Sequence, residues 1–350
     1  MNFTTQPFEQ IEKSIWDTFV DASDEAWLFH RYDFQPMLAT WDRRALSFAV
    51  RDDRDILAIV PLFLVEDQRT KLSRVLRVAR LDVFGGIALK NGLGEKHRHK
   101  ILTFAYEELQ RLARQYDVMD LTAVLMPCTP AYRGERTPRV NPLLDYGCEN
   151  TLTQTSMIDL KRPLNTIREN YSRTTRYEIK QINPDNCTVR EARGGSELDI
   201  YYALHEETYH RTGVNPHPRA YFQSIFEHFV IGGLARILLL ERDGVVVAAH
   251  NTALYKGAAM YWTGASVSEK QGGDNRVLMD AQIAYAHGQN YEWFEVGEVF
   301  PNTTDAKLKG LTDFKRSFGG EMFPFYRGRI LYRPQLETTV RMLRSIRKRL

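Results

Sequence analysis

The chain has 350 residues and nearly balanced charges, with 47 Lys and Arg against 44 Asp and Glu. This length predicts about two domains, and 43% hydrophobic with 26% charged residues is typical of a folded globular protein. A net charge of only +3 gives no indication of a nucleic-acid partner, and we predict no DNA binding.

The cysteines and the apolar segments exclude further classes. Cys128, Cys148 and Cys187 are widely spaced and form no metal-ligand pattern, so we predict no metal site and no disulfide framework. The N-terminus lacks the pattern of a secretory signal, and the longest apolar run, 58–65, is far shorter than a membrane span. These features predict a cytoplasmic protein.

The first half alternates strands and helices. Apolar spacing predicts a helix at 8–20, and two strands flank the turn at 52–54. A strand interrupted by Gly85-Gly86 precedes a helix at 97–115 and a strand at 117–126. A segment rich in proline, glycine and polar residues, 127–150, follows and predicts a linker.

The second half begins with a strand at 154–160 and a basic helix at 165–182. Arg173, Arg176 and Lys180 share one face of that helix, which is either an anion-binding surface or a solvated face. Further on, 235–266 predicts an antiparallel meander with turns at Asp243-Gly244 and Lys256-Gly257.

The region after the meander repeats an order already seen in the first half. A strand at 259–266, a glycine-bearing loop at 267–275, a helix at 276–288 and a strand at 291–297 follow one another. Because the first half has the same order of strand, glycine-rich loop, helix and strand, we interpret the chain as a duplicated α/β unit. Free N–H groups in such a loop and first helical turn favour binding of an anion.

Three segments resemble a known family. They are MIDLKRPLNTIRENYSRTTRYEIKQ, the meander RDGVVVAAHNTALYKGAAMYWTGAS and the closing GLTDFKRSFGG. They resemble the GNAT superfamily and, more narrowly, its FemAB-type and CelD/BcsL-type acyltransferases. The resemblance implies an α/β (α+β) fold of tandem GNAT-like lobes, each with a central mixed sheet. It also implies an acyl-CoA or aminoacyl-tRNA co-substrate and no permanently bound cofactor.

The expected domains are a degenerate N-terminal lobe on the acceptor side at 1–150, a catalytic lobe at 151–332 and a basic amphipathic helix at 333–350. The apolar stripe of that helix either docks on its own domain or rests on a partner or an anionic membrane surface. We therefore expect a cytoplasmic protein for which peripheral contact with the inner membrane face stays open.

The candidate catalytic residues are Lys315, Glu298 and His250. By resemblance Lys315 is the lysine of the family motif, where it would hold a phosphate or the developing oxyanion. Glu298 and His250 are candidate bases, with a structural ion pair and a core histidine as the alternatives. The candidate donor- or substrate-binding residues are Arg173, Arg176, Tyr261, Gln271, Gly272, Gly273, Asn275 and Arg276.

These features predict an N-acyltransferase that moves an acetyl or aminoacyl group to an amine on a cell-envelope or polysaccharide precursor. Direct attack by the amine is favoured because no cysteine or serine occupies a nucleophile motif. A tRNA donor stays open as a partner. The alternative from another class is a non-catalytic protein that binds a glycan or a partner on the same fold.

Overall fold

The structure is a computed structural model that describes residues 2–67, 74–182, 186–267 and 273–347. The chain divides into two compact units, the first formed by residues 1–152 with 325–350 and the second by residues 153–324. Within the described residues, no helix combines the length and the apolar character needed to cross a membrane.

The first unit contains two sheets and a long crossover helix. Its helices are α1 (Lys13–Ala22), α2 (Phe34–Ala39), α3 (Glu95–Gln115) and α10 (Pro334–Arg347). Its strands are β1 (Thr4–Pro7), β2 (Arg43–Ala45), β3 (Phe48–Arg51), β4 (Ile56–Val60), β5 (Leu62–Glu66), β6 (Ala79–Gly85), β7 (Ala88–Leu89), β8 (Asp120–Leu125), β9 (Glu149–Asn150) and β17 (Arg327–Leu331). The sheet orders are β1-β3-β4-β7 and β2-β5-β6-β8-β17-β9. Helix α3 connects β6 to β8, which pair in parallel.

The second unit contains one mixed sheet of seven strands. Its strands are β10 (Thr153–Asp159), β11 (Cys187–Glu191), β12 (Ala235–Arg242), β13 (Val245–Tyr255), β14 (Ala258–Ser266), β15 (Trp293–Val299) and β16 (Glu321–Phe325), in the order β11-β12-β13-β14-β15-β10-β16. Its helices are α4 (Leu164–Glu169), α5 (Arg173–Gln181), α6 (Gly195–Arg211), α7 (Arg219–Ser224), α8 (Asp274–Gly288) and α9 (Ala306–Arg316). Helix α8 links the parallel pair β14 and β15 and packs Met279 and Ile283 into the core.

The predicted meander is confirmed as β12, β13 and β14, joined by the two predicted turns. Asp243 and Gly244 have φ of 50° and 78°, and Lys256 and Gly257 have φ of 44° and 72°. Positive φ at both central residues is the requirement of the tight turns that match strand twist, which explains the glycine at each second position.

The single basic helix expected at 165–182 is wrong, because the structure has two helices, α4 and α5. The chain turns at residues 170–172, and the Ser172 hydroxyl accepts a hydrogen bond from the Thr175 N–H at 3.1 Å. A serine at this position satisfies a free donor of the first turn, which favours a new helix start over continuation of the previous helix.

The end of the chain belongs to the first unit, since β17 pairs with β8 and with β9. The sequence analysis divided the chain at residues 150 and 332, in chain order, and so placed residues 325–332 in the second lobe. In the structure these residues belong to the first unit. In α10, Leu336 and Val340 pack against Val78 and Met119 of the same unit. This docking is the alternative that the sequence left open beside membrane contact.

Candidate active site

The second unit has two neighbouring parallel strands that separate. Strands β14 and β15 pair only from Ala258 with Trp293 to Met260 with Glu295. Just beyond this point both strands carry a bulge: Trp262 has no partner in the pairing of β14 with β13, and Val296 none in the pairing of β15 with β10. A bulge bends a strand and increases its twist, so two bulges at this level account for the separation. Main-chain groups on the facing edges are thereby released from the sheet.

Lys315 lies against β15 beyond the separation. Its side chain projects from α9, the residue is only 9% exposed, and Nζ donates a hydrogen bond to the Glu298 carbonyl at 2.8 Å. Burial lowers the pKa of Lys315 from its usual value, and the nearby Glu295 and Glu298 oppose that shift. A buried cation with a lowered pKa beside separating strands is a candidate donor to a developing negative charge.

Gly297 makes room for the Lys315 side chain. A Cβ at Gly297 would lie 2.8 Å from Nζ and 3.1 Å from Cε, and Gly297 has a φ of 110°. Only glycine adopts this backbone conformation readily. The position of the ammonium group therefore depends on the absence of a side chain at Gly297, which the sequence analysis did not identify.

Strand β15 carries two carboxylates near Lys315. Glu298 accepts a hydrogen bond from the Thr153 hydroxyl at 2.5 Å, and Glu295 accepts one from the Thr155 hydroxyl at 2.6 Å. Glu295 is buried, whereas Glu298 is partly exposed. Of the two, Glu298 is the one that an incoming molecule can reach.

His250 and Asn275 meet at the start of α8. The His250 ring is fully buried, its Nε2 lies 3.2 Å from Asn275 Oδ1, and Asn275 Nδ2 donates to the Ser266 hydroxyl at 3.4 Å. With Oδ1 turned toward the ring, Nε2 carries the hydrogen and Nδ1 is an acceptor. Burial lowers the pKa of His250 to about 4, so the ring is neutral at pH 7. The Tyr261 ring lies 4.8 Å from it, centroid to centroid.

Polar side chains that the sequence analysis did not select surround His250. Among the described residues, the Asn251 amide, the Thr252 hydroxyl and Gln282 Oε1 are buried without hydrogen-bond partners, as is His250 Nδ1. Buried polar groups are normally paired, so this concentration in the middle of β13 is unusual and points to a functional site. The run His-Asn-Thr within an otherwise apolar strand was the available signal.

Arg276 and Arg176 form their described contacts with residues other than His250 and Lys315. Arg276 forms an ion pair with Glu178, and its Nε donates to the Thr175 hydroxyl at 3.1 Å, so it ties α8 to α5. Arg176 donates to the Glu169 carbonyl at 3.1 Å and, with Lys180, lines a groove of about 540 Å³. Arg173 is exposed.

The glycine loop is described only at its end. Gly273 precedes the first residue of α8 as its N-cap, with Asn275 in the first turn. Gln271 and Gly272 lie outside the described residues.

Comparison with known proteins identifies the fold. Residues 169–316 match the family model described as an acetyltransferase (GNAT) domain. A search of curated proteins found no match.

Solved structures match nearly the whole chain at low identity. The structure of FemX has a TM-score of 0.69 and 12% identity, covering 97% of this chain and 100% of that one. The C-terminal domain of a putative lysylphosphatidylglycerol synthetase from Agrobacterium fabrum has a TM-score of 0.58 and 12% identity, with coverages of 93% and 94%. A tandem GNAT protein from the clavulanic acid biosynthesis pathway has a TM-score of 0.55 and 13% identity, with coverages of 94% and 98%. The predicted mixed α/β, tandem GNAT fold is confirmed.

Proposed function

We propose that this tandem GNAT-fold protein is an N-acyltransferase whose reaction takes place in its second unit. The observation that carries the proposal is the separation of β14 from β15, with the buried Lys315 ammonium lying over β15 at Gly297, just beyond the last paired residues. The match of residues 169–316 to an acetyltransferase domain supports it. In this proposal the donor carbonyl lies between the separated strands.

The proposed reaction is direct attack of an amine on the donor carbonyl. The amine nitrogen forms the new C–N bond, and the carbonyl oxygen becomes an oxyanion stabilised by Lys315 and by main-chain N–H groups of the opened strand edge. The tetrahedral intermediate then breaks its bond to the leaving group, which departs as a thiolate from acyl-CoA or as a ribose oxygen from aminoacyl-tRNA. The nitrogen loses its surplus proton to a base.

Glu298 is the base that we propose. It is partly exposed and shares with Lys315 the part of β15 beyond the separation, whereas His250 is fully buried within β13. We assign to His250, Tyr261 and Asn275 a role in shaping the donor-binding side of the site. Gln271, Gly272 and Gly273 stay candidates for the same role because they directly precede Asn275 in the sequence. Arg173 and Arg176 stay candidates for an anionic part of either substrate.

The finer identity of the substrates is also a proposal. We propose an acyl or aminoacyl group as cargo and an amine on a cell-envelope or polysaccharide precursor as acceptor. The names of structural neighbours support both kinds of cargo. One neighbour is FemX and one is a putative lysylphosphatidylglycerol synthetase, whereas a third is named in relation to AcCoA. Cytoplasmic location belongs to the same proposal, and contact of α10 with anionic lipid would involve its basic residues, because Leu336 and Val340 pack within the first unit.

The test uses the full chain with acetyl-CoA, a long-chain acyl-CoA and an aminoacyl-tRNA as separate donors. A true donor at a hundredfold excess over its dissociation constant should stabilise the fold by about 2.7 kcal/mol. Transfer to a model amine should then fall on the order of 10²–10³-fold in Lys315→Met. Lys309→Met changes an exposed lysine of the same helix and should leave transfer unchanged.

The alternative is a non-catalytic binding protein. It is favoured by the contacts of Arg276 with Glu178 and Thr175, which engage the arginine in the first turn of α8 within the protein. If none of the three donors stabilises the protein, and if Lys315→Met and Lys309→Met show the same transfer to the model amine, this alternative is supported and the acyltransferase is refuted.

A further inference from the structure

Two ionisable side chains are buried where β14 and β15 separate. Glu295 is only 2% exposed and belongs to the last residue pair of the two strands, opposite Met260. Lys315 is also buried and lies over Gly297, two residues further along β15. Charged side chains are rarely buried unless an opposite charge is near. The carboxylate and the ammonium group are therefore best considered together.

The Lys315 ammonium group uses only part of its capacity for hydrogen bonds. An ammonium group has three N–H donors. Among the described residues, the hydrogen bond of Nζ to the Glu298 carbonyl at 2.8 Å is the only one that Lys315 forms, and it has no salt bridge there. The remaining donors are therefore available to a bound molecule.

Thr155 on β10 holds the Glu295 carboxylate in place. The Thr155 hydroxyl donates a hydrogen bond to Glu295 Oε1 at 2.6 Å, and both residues are buried. The bond connects two paired strands, so it is fixed by the sheet. A carboxylate in direct contact with Lys315 would occupy its donors, because charge-assisted hydrogen bonds are strong. Attached to Thr155, Glu295 acts on Lys315 through its charge and leaves those donors free.

The charge of Glu295 opposes the effect of burial on Lys315. Burial lowers the pKa of Lys315, and Glu295 and then Glu298 raise it; within the described residues, these are the charged groups that shift it. Glu298 is partly exposed to screening water, whereas Glu295 acts through the protein interior. A donor bound between the separated strands would remove the remaining water from the ammonium group and lower its pKa further. The buried counter-charge matters most at that stage.

We propose that Glu295 is a positioning residue that keeps the Lys315 ammonium group charged from a distance, so that its free N–H donors bind the oxyanion. Glu295 exchanges no proton in the reaction, and Lys315 stays an ammonium group throughout. This inference rests on the proposed function, since it concerns the group that would stabilise the tetrahedral intermediate. A purely structural connection of β15 to β10 is the alternative role of Glu295, and it predicts no effect on the titration of Lys315.

The first experiment measures the charge of Lys315 through folding stability and needs no donor. Urea denaturation of the full chain at stepped alkaline pH compares the unmodified protein with Lys315→Met, and Glu295→Gln with the double variant. The difference within each pair isolates the titration of this lysine. In both pairs the difference should rise with pH, and in the Glu295→Gln pair the rise should begin about one pH unit lower.

Two variants control this experiment. Glu295→Asp keeps the negative charge, so it should restore most of the shift. Glu292→Gln removes an exposed carboxylate just before β15 and should leave the titration of Lys315 unchanged. The inference is overturned if the rise that depends on Lys315 begins at the same pH in Glu295→Gln as in the unmodified protein.

The second experiment measures transfer from acetyl-CoA to aniline, an amine that stays neutral in neutral and alkaline solution. In Glu295→Gln the alkaline fall of kcat should begin about one pH unit lower, which makes transfer about tenfold slower at a fixed alkaline pH. Thr155→Val frees Glu295 to contact the ammonium group. It should lower kcat about tenfold near neutral pH without moving the alkaline fall to lower pH. An unchanged kcat in Thr155→Val would contradict the role of the threonine.

The two experiments separate this inference from the proposed function. If the stability shift is present but none of the three donors supports transfer, the acyltransferase proposal fails and the counter-charge stands. If transfer occurs and Glu295→Gln changes neither the stability titration nor the alkaline fall of kcat, the counter-charge fails and the acyltransferase stands.

Discussion

Replacing Gly297 by alanine tests whether the position of the Lys315 ammonium matters. The new methyl group would lie 2.8 Å from Nζ, so the flexible end of the lysine must move off the Glu298 carbonyl. Alanine at a φ of 110° is also strained, at about 1–3 kcal/mol. Two effects are therefore expected, a loss of stability and a displaced cation.

The two effects are separable with a matched control. Gly244 also has a positive φ, 78°, but a Cβ there meets no atom within 4 Å. Gly244→Ala should cost about 1–2 kcal/mol through backbone strain only. Stability is measured by urea denaturation, and amine acylation is measured with the donor that stabilises the protein most.

We expect Gly297→Ala to lose transfer on the order of 10²–10³-fold, as Lys315→Met does, while Gly244→Ala keeps the unmodified rate. Both alanine variants should remain folded, since the strain is small compared with the usual stability of about 5–15 kcal/mol. If Gly297→Ala is destabilised but transfers at the unmodified rate, the ammonium position has no role in the reaction.

Three further predictions concern stability. Burial lowers the pKa of His250 from 6.5 to about 4, so the unfolded chain takes up its proton first as the pH falls. Stability should drop between these values, and His250→Gln should remove up to about 3 kcal/mol of that drop in urea denaturation at stepped pH. For Lys315, burial lowers the pKa from 10.5, so in the alkaline range below 10.5 the folded state binds fewer protons and stability should rise with pH. An unchanged slope in Lys315→Met would contradict this. In the first unit, a Cβ at Gly85 would lie 2.6 Å from the buried His30 ring, whereas Gly92 faces open space. Gly85→Ala should therefore lower the melting temperature clearly more than Gly92→Ala, and equal shifts would refute the contact.

Local features of the fold were predictable from the sequence. The turns at Asp243-Gly244 and Lys256-Gly257 follow from residues that tolerate positive φ, and the apolar strands around them follow from composition. The break at Ser172 was also encoded locally, but the helical spacing of apolar residues on both sides concealed it. Such signals act over a few residues, which is why they are readable without the fold.

Contacts between distant segments were not predictable. Nothing adjacent to Lys315 in sequence indicates that its ammonium lies over Gly297, and nothing adjacent to Arg276 indicates the ion pair with Glu178. The unpaired groups of Asn251 and Thr252 are recognisable only when burial and partners are known. The chemistry of the candidate site therefore depends on tertiary packing, whereas its location between strand and helix depends on sequence order.

The return of β17 to the first unit has a consequence for synthesis on the ribosome. Residues 153–324 emerge complete before Arg327–Leu331, so the second unit has all its strands while β8 still lacks one neighbour. Until the last strand arrives, β8 is an open edge with hydrogen-bonding groups available to another nascent chain. Translation thus imposes an order of maturation in which the first unit to be made is the last to be finished.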